Sequence, residues 1–180
     1  MSNWDKLPGA SLTITEDVMD RLLFVSTVLA ALGSGLIAGV FFAFSAFVMT
    51  ALSRLPAPSG ISAMQSITAA IKSPPFLGVF FGTAVLAAVL GLAAPFRWSE
   101  PGALYLLIGS LLYLNGPFGV TVLRNVALNN QLANVGPESA EGAKFWQHFL
   151  ASWTAWNHVR TVFSLAAAAA FIMALVLPTS

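Results

Sequence analysis

The sequence predicts an all-α integral membrane protein, a four-helix transmembrane bundle, and three observations carry that prediction. Hydrophobic residues fill 57% of the 180 positions and charged residues only 8%, against the ~25% charged that is usual in soluble domains. Mean hydropathy is +0.81. Uncharged stretches run from Leu22 to Ser53, Pro74 to Phe96, Pro101 to Leu123 and Thr161 to Ser180, each long enough for a hydrocarbon core that needs ~20 apolar residues.

The elements follow in order. Residues 1–20, with Asp5, Glu16, Asp17 and Asp20, form a polar and partly interfacial tail, and residues 21–180 form one domain with spans at about 22–53, 75–96, 102–124 and 154–177. The first apolar run is too long for the ~7–15-residue core of a cleavable signal. In it Ala31, Gly35, Gly39 and Ala43 recur every fourth residue, the small-xxx-small pattern of helices that approach closely in membranes; Gly78 and Gly82 repeat it in the second span. That face serves packing within one chain or, in a homo-oligomer, against a second copy. At ~1.5 Å per residue the first span reaches ~48 Å, so it tilts or projects and carries Arg54 to its projecting end.

Pro56-Ala57-Pro58-Ser59-Gly60 reads as a turn, and Ile61, Met64, Ile67, Ala70 and Ile71 have helical spacing until Ser73-Pro74-Pro75 stops them. This short amphipathic helix is either a lid packed on the bundle or a substrate gate. The third span contains Asn115-Gly116-Pro117, where the proline removes a backbone hydrogen bond and predicts a kink; Asn115 either bonds a carbonyl there or contacts a ligand. Beyond Arg124 the helix continues through Asn125, Asn129 and Asn130 until Gly136-Pro137, and Asn125 and Asn129, four apart, share a face. The last helix starts near Ser139 and Glu141 and runs without a breaker into the alanine-rich end. On it Trp153, Asn157, Arg160, Thr161 and Ser164 fall on one stripe, with His158 on the flank nearer Thr154.

Four spans place both ends of the chain on one side. Lys6, Arg21 and Arg97 belong to that side, and Arg54, Lys72, Arg124, Lys144 and Arg160 to the other, which the positive-inside rule makes cytoplasmic; the bias vanishes without Arg124 and Arg160. The chain has no cysteine, which excludes disulfides, thiolate nucleophiles and cysteine-held clusters. A net charge of +1 with scattered basic residues gives no footprint for nucleic acid. No glycine-rich phosphate loop is present, and no Asp or Glu lies inside a span, which disfavours a proton- or ion-coupled transporter.

Ionisable groups at a span are functional candidates because the bilayer penalises them by ~2.5–3.5 kcal/mol or more at the helix centre. The run Trp153 to Thr161 is therefore the chief candidate, joined at the same mouth of the bundle by Arg54, Arg124, Asn125 and Asn129. Plainer readings stand beside it: the tryptophans Trp98, Trp146, Trp153 and Trp156 form an interfacial belt, Arg160 snorkels to lipid phosphate, and Asn157 with His158 makes an ordinary helix–helix hydrogen bond. For a metal, His148 and His158 match no known ligand spacing. Glu138, Glu141 and His148 are the remaining interfacial set.

The segments Gly39-Val40-Phe41-Phe42-Ala43-Phe44-Ser45, Asn125-Val126-Ala127-Leu128-Asn129-Asn130 and Trp153-Thr154-Ala155-Trp156-Asn157-His158-Val159-Arg160-Thr161 together resemble the anthrone oxygenase family of small four-helix membrane proteins, over about Leu22 to Leu177. Ala127 stands where that pattern usually has proline. The resemblance implies oxidation of an anthrone to an anthraquinone by dioxygen in polyketide pathways, a monooxygenase reaction. An anthrone anion is electron-rich enough to reduce dioxygen without a cofactor, metal or flavin. The expected partners are a lipophilic aromatic molecule, dioxygen and the lipid bilayer. On that basis His158 is the candidate base. Arg160 with Asn157, Asn125 or Asn129 is the candidate oxyanion site, Trp153 and Trp156 stack on the polycycle, and Arg54 lies at the mouth. The alternatives are a non-enzymatic carrier or binding protein for a lipophilic aromatic or quinone, and a metal-dependent membrane oxidoreductase using His148 and His158.

Overall fold

A computed structural model describes residues 8–177, with side chains from residue 17. Helix α1 (Pro8–Ala43) passes without a break through a π-helical segment (Phe44–Val48) into α2 (Met49–Ser53). After α3 (Ala57–Ala70) come α4 (Pro74–Ala93), with a 3₁₀ turn (Ala94–Arg97), and α5 (Ala103–Tyr113). A second π-helical segment (Leu114–Asn125) links α5 to α6 (Val126–Ala133), and α7 (Ala140–Val176) closes the bundle. Four helical rods, Asp17–Ser53, Pro74–Arg97, Ala103–Ala133 and Ala140–Val176, are long and apolar enough to cross a membrane.

The expected tail is helical from Pro8 in continuity with α1, while residues 1–7 lie outside the described part. Asp20 belongs to the bundle: its carboxylate accepts from Arg97 at 2.7 Å, and Arg97 also pairs with Glu100 at 2.7 Å. The start of the first span is thereby tied to the α4–α5 turn.

The end of the bundle near that turn is packed by small side chains. Ala30, Ala31, Ala84, Ala87, Leu90 and Phe171 form its centre with Tyr113, whose hydroxyl donates to the Phe80 carbonyl at 3.0 Å. The close approaches use other glycines than the regular stripe predicts. A Cβ on Gly33 would collide with Thr83, one on Gly91 would lie 2.9 Å from Ser110 Cβ, and one on Gly109 2.8 Å from the Phe171 ring, whereas Gly35, Gly39, Gly78 and Gly82 face open space. The inward face of α1 runs through Ala30, Ser34, Ile37 and Phe41, a spacing of three to four that keeps to the 3.6-residue turn. Gly35 and Gly39 lie outside it, in a shallow groove beside Ala168 and Ile172 of α7.

At the other end α3 lies over α2, α6 and α7. Ile61 and Met64 are buried with Met49, Leu52, Leu132, Trp146, Phe149 and Trp153. The helix begins at Ala57, earlier than expected, because Pro58 is compatible with a first turn that lacks hydrogen bonds, and Gly60 lets it press against Trp146. Gln65 Nε2 donates to the carbonyls of Leu132 at 2.8 Å and Val135 at 3.2 Å, clamping α3 to the end of α6. Ser139 caps α7, its hydroxyl accepting from the Gly142 amide at 2.9 Å.

The proline of the third rod does not produce a simple kink. Pro117, which has no N–H to donate, sits inside the wide segment Leu114–Asn125. Gly116 meets Phe163 of α7 so closely that a Cβ there would collide with it. Asn115 Nδ2 donates to the Leu111 carbonyl at 2.8 Å, one turn back.

Candidate functional site

Arg160 organises the site. It lies midway along α7, 4% exposed, with its guanidinium carbon 4.1 Å from the centre of the Phe41 ring and 4.9 Å from that of Trp153. One terminal nitrogen donates to Asn157 Oδ1 at 2.7 Å and the other to Thr121 Oγ1 at 3.1 Å. Its Nε has no protein partner. Asn157 is held in turn: its Nδ2 donates to the Phe41 carbonyl and to Ser45 Oγ, both at 2.7 Å. Ser45 lies 3.2 Å from Thr161 Oγ1, and Ser164 Oγ donates to the Arg160 carbonyl at 2.7 Å.

Both π-helical segments meet this group. Phe44–Val48 brings in Ser45, and Leu114–Asn125 brings in Thr121. Wide turns inside α-helices are uncommon and gather at functional sites because they re-aim side chains that a regular helix would turn elsewhere.

The electrostatics are incomplete. Among the described residues the ion pairs are those of Arg97 with Asp20 and Glu100, so neutral dipoles and aromatic faces alone offset the Arg160 charge. A buried charge costs several kcal/mol unless it is paired. The Arg160 guanidinium therefore keeps both an uncompensated charge and, at Nε, an unused donor.

A cavity of about 260 Å³ opens beside the guanidinium. Phe41, Phe44, Phe76, Phe80, Phe81 and Trp153 supply its aromatic walls, α3 covers it with Met64, Ile67, Thr68 and Ile71, and Lys72 stands at its edge. The Thr68 hydroxyl is buried with no partner. Phe80 stacks on Phe76 and Phe118 with ring centres 5.9 and 5.7 Å apart. The cavity falls a little short of the ~300–1,000 Å³ of drug-sized sites, and its lining is mainly aromatic and aliphatic.

The structure brings together Asn157, Arg160, Trp153, Asn125 and Asn129. The two asparagines hold Trp153 from both ends: Asn125 Nδ2 donates to its carbonyl at 3.3 Å, and its indole Nε1 donates to Asn129 Oδ1 at 2.8 Å. Asn129 lines the cavity and Asn125 does not. His158, Trp156 and Arg54 stand apart. His158 is exposed in a separate shallow groove with Met49, Thr50, Ser53 and Thr154. Residues two apart on a helix are turned by ~200°, so His158 and Arg160 occupy opposite faces and the grouping of base with anion site does not form. Trp156 lies under the exposed Arg124 at 5.0 Å, outside the cavity, and Arg54 is exposed at the end of α2. No group of three His, Cys, Asp or Glu side chains converges among the described residues.

The sequence reading missed Thr121, Thr68, Lys72 and the phenylalanine walls. Thr121 follows Pro117 by about one helical turn, and Lys72 carried a signal as a charge beside the proline that starts α4. No curated protein and no solved structure matches the chain. Residues 76–170, from α4 into the last third of α7 and including Thr121, Asn129, Trp153, Asn157 and Arg160, match the family model described as Anthrone oxygenase; as the match takes in more than half of the chain, the protein belongs to the anthrone oxygenase family.

Proposed function

We propose that the protein is a membrane oxygenase that converts an anthrone-like polycyclic aromatic to a quinone with dioxygen, and that Arg160 holds the substrate oxyanion. The observation that carries this reading is the buried guanidinium without a counter-ion at the floor of an aromatic cavity. Its cavity walls also reach the lipid-facing surface: Phe81 and Val122 are 50% and 51% exposed, so a lipophile enters sideways from the bilayer between α4 and the second π-helical segment.

The carbon opposite the carbonyl of the bound anthrone loses a proton to water at the mouth, and the electron pair spreads onto the carbonyl oxygen beside Arg160. Preorganised donors in a dry site stabilise such an oxyanion by several kcal/mol. The anion passes one electron to dioxygen, superoxide and the carbon radical combine to a peroxide anion, this anion takes back the proton from the water at the mouth, and the hydroperoxide so formed loses water. Anthrone plus dioxygen gives anthraquinone plus water, with no other reductant. His158, on the outer face, takes no part.

One observation favours a second reading, a non-enzymatic binding protein for the same class of molecule: among the described residues no His, Asp or Glu lines the cavity. Oxygen uptake by the purified protein with a hydroxyanthrone, above the spontaneous rate, separates the two. Arg160→Gln is expected to lower uptake by ~10²-fold or more, the cost of removing an oxyanion donor, while His158→Ala retains it. Saturable binding without uptake favours the binding protein. A loss of uptake in His158→Ala with Arg160→Gln unaffected would falsify the assignment.

A further inference from the structure

Helix α3 is held unevenly along its length. Its first half is seated: Ile61 and Met64 are buried in the cluster with Phe149 and Trp153, and Gly60 lies against the Trp146 ring where a Cβ would not fit. The second half has a looser bed. Ile67, Thr68 and Ile71 are half-buried, Ala69 and Ala70 are exposed, and Ile67 and Ile71 roof the cavity. Where the halves meet, Gln65 Nε2 donates to the Leu132 and Val135 carbonyls at the end of α6. Among the described residues no other hydrogen bond from an α3 side chain leaves the helix. Both ends of α3 are breaks: Pro56 and Ser73 have ψ of 142° and 145°, and Pro74 and Pro75 bar the helix from continuing. The last turn closes with long bonds, Lys72 N to Ala69 O at 3.3 Å and Ser73 N to Ala70 O at 3.2 Å. Unwinding it lengthens each residue from ~1.5 to ~3.3 Å, slack enough for the second half to lift while the first stays seated. The closed position also carries a cost. Thr68 Oγ1 is buried without a partner, a loss of hydration that ends when this half lifts into water.

We propose that the second half of α3 is a lid over the water side of the cavity, with Gln65 as its latch and the Thr68 hydroxyl as the group that favours opening. The cavity then opens in two directions. The gap at Phe81 and Val122 faces lipid, and the lid faces the water at the membrane surface, because α3 joins the first two rods at that end. Closed, the lid keeps water from the aromatic walls and from Arg160; open, it admits the water that exchanges protons with a bound molecule. The lid itself rests on the geometry of α3, and its effect on turnover rests on the oxygenase reading.

The chain has no cysteine, so a single introduced thiol reports the motion in the intact protein in detergent. The rate at which a sulfonated maleimide labels Ile67→Cys follows the open population when opening and closing are fast. Met64→Cys, in the seated half, is the control. Gln65→Leu is expected to raise the labelling of Ile67→Cys about tenfold, the combined hold of two ordinary hydrogen bonds, and to leave Met64→Cys within about twofold. Thr68→Val keeps the shape and removes the buried hydroxyl, so it should slow the labelling of Ile67→Cys about fivefold. If Gln65→Leu speeds both thiols alike, α3 leaves the bundle as a whole and the lid is overturned. No change at either thiol, or no slowing by Thr68→Val, also overturns it. Added anthraquinone should protect Ile67→Cys by binding the closed form. Were protection missing while the variants behaved as expected, the lid would stand and the reading of the cavity as an aromatic site would fail.

Discussion

The two ends of the bundle solve opposite problems with the same helices. Near the α4–α5 turn, regular α-helix brings alanines together and Gly33, Gly91 and Gly109 allow close approach, and the space beside them is an open, uncharged groove along Gly35 and Gly39. Toward α3 the first and third rods widen into π-helix, the side chains become large and aromatic, and a buried cation stands beside empty space. Dense packing needs only the regular helical repeat. A cavity that holds a charge needs that repeat broken at chosen places, and both breaks meet at Arg160.

The largest expected effect lies at the polar end. Asn157→Leu would leave the Phe41 carbonyl and an Arg160 terminal nitrogen without their partner; buried groups orphaned in this way cost ~1–3 kcal/mol each, more when charged. The melting temperature in detergent should fall by more than for any glycine variant below. The stabilisation that an added anthraquinone gives the parent, which grows with ligand over Kd, should be lost as well. A melting shift equal to the parent's on adding ligand would break the link between this network and the cavity.

At the packed end, Gly109→Ala places a methyl group against the buried Phe171 ring, and overpacking of this kind costs ~1–3 kcal/mol. Here the two ends should part company: the melting temperature falls, but added anthraquinone raises it by as much as in the parent. A lost ligand shift in Gly109→Ala would mean that the ends are coupled.

What could be read in the sequence follows the same division. Span number, the early start of α7, the amphipathic α3 and the stripe Trp153, Asn157, Arg160, Thr161, Ser164 were legible because each depends on length, hydropathy or the 100° step of a regular helix. The same step separates His158 from Arg160, yet chemical type had grouped them. The every-fourth glycine stripe suggested close packing, but a spacing of four drifts off a 3.6-residue face, and the buried face follows Ala30, Ser34, Ile37 and Phe41 instead. The π-helical segments were not legible: Pro117 announced an irregularity but not its length, and nothing in Phe44–Val48 departs from ordinary helix composition. Thr121 and Ser45 reach the site through those segments, which is why periodicity could not place them.

The smallest expected effect lies at Trp153, where the two functions of a side chain can be separated. Its ring forms part of the cavity wall and stacks near Phe149 at 6.0 Å, while its indole nitrogen only fastens it to Asn129. Trp153→Phe retains an aromatic face toward Arg160 and deletes the hydrogen bond, for a net loss of about 1 kcal/mol in stability. It also frees Asn129 Oδ1 beside the cavity. An acceptor with no donor repels a substrate anion, so oxyanion binding should weaken more than binding of neutral anthraquinone. If Trp153→Phe instead weakens both ligands equally, Asn129 acts on the ligand only through the position of the ring, and the polar end of the bundle has a single anion-binding centre at its floor, Arg160.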